Sequence, residues 1–156
     1  MSVKKVKVSP KLFETYLSVI ANSPKAKMFR NFSAVVNGRK TDITHNGELS
    51  CAFFVSFILS FFKQINSGHT TVNSTIKDLI KNGWRKINKP LPGAVLVWEE
   101  NDFGKHGMHK HIGFYIGDDK AVSNSEKRRF PIKHHWTYKG KRKVDLILFN
   151  KKFSAQ

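Results

Sequence analysis

Apolar side chains recur at helical spacing in three stretches of the chain and at strand spacing in the stretches that follow. In residues 10–22, Leu12, Phe13, Tyr16, Leu17 and Ile20 share one face, and Ser9-Pro10 opens the helix with proline in its first turn. Residues 49–62 are apolar on all sides, broken only by Ser50, Ser56 and Ser60. Such a helix belongs in the middle of a core, and at about 14 residues it falls short of the roughly 20 needed to span a bilayer. The third helix is capped by Thr70 or Thr71 and runs to Asn82, with Val72, Ile76, Leu79 and Ile80 inward and Gly83 ending it. From there the period changes to two. Residues 94–99, 111–117, 121–124 and 144–149 read as strands, and 133–138 as a possible fifth. Helices followed by four or five mostly antiparallel strands predict an α+β fold.

Less regular stretches join these elements. Residues 2–9 alternate Val with Ser or Lys and read as a basic arm or an edge strand. Residues 25–36 read as a shorter helical or irregular piece, with Met28, Phe29, Phe32, Val35 and Val36 as core candidates. Asn37-Gly38 is a turn, and 38–47 a polar loop. The chain of 156 residues suits one domain, 1–156: an N-terminal helical region (1–45), a central core (46–126) and basic C-terminal strands (127–156). Thirteen Phe and three Trp argue against disorder.

Charge narrows the partners. The formal net charge is +17, and ten Lys/Arg after Ser125 face only Glu126 and Asp145. Such a field recruits polyanions, whether nucleic acid, anionic membrane or an acidic cell-wall polymer. No recognised nucleic-acid module accompanies it, so nucleic acid is possible but not favoured. Residues 139–143, Lys-Gly-Lys-Arg-Lys, read as a surface turn. The basic start of the chain has no apolar signal-peptide core, which leaves localisation open.

The single cysteine permits no internal disulfide. Cys51 stands in the first turn of the apolar helix behind Ser50, whose hydroxyl is expected to accept an orphan backbone N–H. The helix macrodipole there favours thiolate. A base is available in His111-Ile112-Gly113-Phe114-Tyr115-Ile116-Gly117, where an imidazole stands at a strand entrance with glycines on its face. His106, His109 and His111 cluster, but their loop and spacing are unlike a zinc site, and no metal is expected.

These residues resemble a known family. Gly47-Glu-Leu-Ser-Cys51-Ala-Phe-Phe54-Val-Ser56, then Pro92-Gly-Ala-Val-Leu-Val-Trp98, then His111-Ile-Gly-Phe-Tyr-Ile-Gly-Asp118 look like the three blocks of the NlpC-type cell-wall cysteine peptidases, to which the CHAP amidases are related. The resemblance covers about residues 45–126. It implies a papain-like fold with N-terminal helices packed on the sheet, and a monomeric hydrolase without cofactor. Cys51 would be nucleophile and His111 base, acting on peptide or amide bonds of peptidoglycan or another anionic wall polymer. The sequence departs from the family at Ser50, where an acidic residue is usual, and at Ser123, often a histidine that orients the base. If Asp118-Asp119 is a two-residue turn, Gly113 pairs with Asn124, and Asn124 shares the face of His111. A three-residue loop puts Ser123 and Ser125 there instead. Asn124 is the favoured third residue, with Ser123 and His134 or His135 as alternatives. His45, Ser50, Ser123 and Trp98 are expected to border the substrate. The competing expectation is a basic binding protein that keeps the fold without the chemistry.

Overall fold

The computed structural model describes residues 5–156. Helix α1 (Leu12–Asn22) is followed by a hairpin of β1 (Ser33–Val36) and β2 (Arg39–Asp42), then by α2 (Cys51–Phe61) and α3 (Val72–Lys81). Strands β3 (Arg85–Lys86), β4 (Val95–Asp102), β5 (Met108–Gly117), β6 (Lys120–Ser125), β7 (Phe130–His135) and β8 (Val144–Phe149) come next, and α4 (Lys151–Ser154) closes the chain. The last six strands form one antiparallel sheet in the order β3-β8-β4-β5-β6-β7. The fold is therefore α+β. Among the described residues, no helix is long and apolar enough to cross a membrane.

Helix α2 lies on one face of the sheet. Phe54 is fully buried between the edges of Phe29 and Phe114, with ring centroids 5.0 and 5.6 Å away. The opposite sheet face carries a second cluster built from Leu96, Trp98, Tyr115, Ala121, Ile147 and Phe149. Burial on both faces explains why Val95–Trp98 is an unbroken buried run instead of alternating. The expectation that α2 is enclosed on every side is corrected along one edge, where Phe57 and Phe61 are exposed. Ile80, expected to face inward, is also half exposed.

The N-terminal third differs most from expectation. Residues 33–42 form a hairpin, not an irregular piece and a loop. Asn37 and Gly38 both take positive φ (51° and 77°), the backbone of a two-residue turn whose twist matches its strands. Val35 and Val36 are exposed on this two-stranded ribbon and are not core. Residues 2–4 of the expected basic arm lie outside the described residues, and 5–11 form no strand. The strand expected at 133–138 lies at 130–135, on the sheet edge, where Pro131 is tolerated.

Candidate active site

The approach to α2 is shaped by a tight turn. Gly47 takes φ +91°, and a Cβ there would meet the Arg129 carbonyl oxygen at 2.7 Å. The Gly47 carbonyl in turn accepts a 2.7 Å hydrogen bond from Asn124 Nδ2, which ties the start of α2 to β6. Ser50 occupies the N-cap position, but its hydroxyl caps nothing and is buried without a partner. The expected cap bond is thus absent, and the first-turn N–H groups of Cys51 and Ala52 face the Cys51 sulfur instead. Burial pushes the Cys51 thiol up, against the opposing pull of the backbone N–H groups of Ile112, Ala52 and Cys51 and the Arg142 charge. The expected lowering by the helix dipole does not prevail. The resting group is a thiol, because desolvating the anion outweighs the local dipoles.

His111 is buried on β5, next to Trp98 of β4, whose ring centroid lies 5.3 Å from its own. Its Nε2 lies 2.9 Å from Ser123 Oγ. Ser123 Oγ is also 2.8 Å from His134 Nε2 and 3.2 Å from the Tyr138 hydroxyl. Gly113 makes this approach possible, since a Cβ there would stand 2.7 Å from Ser123 Cβ and 3.0 Å from the Trp98 ring. Burial pushes the His111 imidazole down to about 3, helped by the nearby Arg142 charge and by His134. At neutral pH the ring is therefore uncharged, and its burial opposes protonation.

Asn124 does not orient that ring, which corrects the favoured assignment. Asp118-Asp119 does make a two-residue turn, with Gly117 opposite Lys120, but a bulge between Tyr115 and Gly117 absorbs one residue. Gly113 therefore pairs with Ser123, and Ser123 takes the face of His111. Asn124 turns to the α2 side instead. Its Oδ1 is buried without a partner.

Cys51, His111 and Asn124 line one cleft of roughly 450 Å³, with Leu49, Thr71, Phe103 and His109 among the other walls. Among the described residues, no hydrogen bond joins Cys51 to His111. The rim beside them is fastened at Glu48. Its carboxylate meets Arg129 Nη2 at 2.9 Å, His106 Nε2 at 2.7 Å and Lys105 Nζ at 3.1 Å, and its pKa is lowered to about 2 by these partners, His106 first.

None of the four residues expected to touch substrate lines the cleft. Trp98 is fully buried and donates its indole N–H to the Trp136 carbonyl, forming a floor under His111 and no cleft wall. His45 is exposed, with its ring 5.0 Å from that of His106, outside the cleft lining. Ser50 and Ser123 lie behind Cys51 and His111 respectively, both buried. Arg142 and Tyr138 escaped sequence reasoning. Arg142 sits over the Phe103 ring at 5.5 Å and donates to the Glu99 carbonyl, half-buried within a run of lysines that reads as solvated charge. Its only signal was being Arg among Lys, since guanidinium suits stacking and partial burial better than ammonium. Among the described residues, no group of three or more His, Cys, Asp or Glu side chains is arranged to hold a metal.

The fold and site thus define an α+β protein with a cysteine and a histidine opening onto one cleft. No family model matches the chain, and no curated protein is significantly similar to it.

Proposed function

We propose that this protein is a cysteine hydrolase of papain-like, NlpC type, cleaving peptide or amide bonds, with peptidoglycan stem peptides as substrate. The observation that supports it most is the shared cleft, which receives Cys51 from the first turn of α2 and His111 from β5. Thiol and imidazole are both neutral at rest and burial opposes ionising either, so His111 takes the thiol proton only as sulfur attacks the carbonyl carbon, and then protonates the leaving amine. Water hydrolyses the acyl-enzyme, again through His111. The uncapped Cys51 N–H is the natural donor to the oxyanion. The +17 charge holds the enzyme on an anionic wall polymer, which implies an extracytoplasmic site of action.

The test is release of new amino groups from purified peptidoglycan by wild type and by Cys51→Ala. The variant should be inactive with an unchanged far-UV spectrum, and equal turnover by both overturns the reading. A second reading, a basic binding protein without chemistry, is favoured by one observation: the raised thiol makes no hydrogen bond to His111. It requires salt-sensitive retention on anionic polymer with no turnover by either protein.

A further inference from the structure

We propose that His134 sets the tautomer of His111 through the Ser123 hydroxyl, leaving His111 Nδ1 as the bare, proton-accepting nitrogen. The argument is a count of protons. His134 Nδ1 lies 2.8 Å from the His135 carbonyl oxygen, which only accepts, so Nδ1 carries a hydrogen. Burial disfavours a second proton on this ring. His134 Nε2 is then a lone pair, and the donor facing it is Ser123 Oγ at 2.8 Å.

A hydroxyl has one hydrogen to give. With it committed to His134, the other two neighbours of Ser123 Oγ must both donate to it. The Tyr138 hydroxyl, kept protonated by burial, does so at 3.2 Å, and His111 must do so from Nε2 at 2.9 Å. The reverse polarity would set two lone pairs against each other at the Ser123–His134 contact. His134 is held for this task by stacking on Tyr138, 4.1 Å between centroids and 17° between planes. The β6–β7 register, Ala121 opposite His134, puts its ring on the Ser123 face. A short serine and a histidine from the next strand thus act together as the orienting group.

The catalytic importance of this relay rests on the hydrolase reading, but the tautomer does not, and it is measured directly. The full chain labelled with 15N-histidine is examined by long-range 1H–15N correlation at neutral pH. Wild-type His111 should show the Nε2–H pattern. His134→Phe, which keeps a ring to stack on Tyr138 but removes the acceptor, should lower the Nε2–H to Nδ1–H ratio about tenfold, the worth of one hydrogen bond. Ser123→Ala should do the same with a smaller packing change, while Tyr138→Phe should leave the tautomer as it is. An Nδ1–H pattern in wild type, or an unchanged ratio in both His134→Phe and Ser123→Ala, overturns the proposal. Absence of hydrolytic activity overturns only the hydrolase reading.

Discussion

Gly113→Ala is the sharpest single perturbation of this site. Its new Cβ would lie 2.7 Å from both the Val122 carbonyl oxygen and Ser123 Cβ. Reaching ordinary van der Waals separation takes about 0.7 Å more space, and one obstacle is backbone within a paired strand. Overpacking of this kind costs about 1–3 kcal/mol. The displacement is aimed along the Ser123 approach to His111. If β6 backs away as a unit, the 2.9 Å bond lengthens towards about 3.6 Å, beyond hydrogen-bonding range. Urea denaturation should show a lower midpoint with an unchanged m-value. The same sample should give a mixed His111 tautomer by 15N correlation. A variant as stable as wild type, with an unaltered His111 signal, would refute the claim that this glycine is required by the close approach of β6.

Other outcomes follow from the same structure. Phe54→Ala, in the fully buried aromatic cluster, should cost about 3–5 kcal/mol in chemical denaturation, whereas Phe61→Ala, 74% exposed, should stay within about 0.5. The Glu48 carboxylate is lowered from 4.5 to about 2, so its stabilisation is complete above about 4.5 and is lost as pH falls towards 2. Wild type should therefore lose stability over that interval more steeply than Glu48→Gln, and parallel curves would contradict the account. Since burial raises the Cys51 thiol, alkylation by iodoacetamide should keep accelerating as pH rises beyond 8. Arg142→Gln should slow it further at each pH, and a flat rate between pH 6 and 8 would indicate a resting thiolate instead.

Where burial follows a regular period, the sequence was readable. Tyr16 and Ile20 on α1, Leu79 on α3 and the buried end of β8 stand where the apolar spacing puts them. The β1–β2 hairpin was not, because Val35 and Val36 face solvent and carry no inside–outside alternation. The contact behind His111 failed for a subtler reason. The turn at Asp118-Asp119 was readable from its residues, yet a single bulged residue beside it reversed which of Ser123 and Asn124 faces the imidazole. Neither propensity nor spacing registers such a bulge. Arg142 and Tyr138 were hidden for another reason: their surroundings come from β4 and β6, over 40 and 15 residues away, and a local run of lysines gives no hint of them.

The Glu48 carboxylate joins pieces of chain that are remote in sequence, reaching His106 across 58 residues and Arg129 across 81. Closing loops of that length costs chain entropy before any contact offsets it. During synthesis Cys51 emerges long before either partner does. The rim beside the sulfur is therefore complete only once the chain extends past Arg129, and a chain cut short of it lacks that tie.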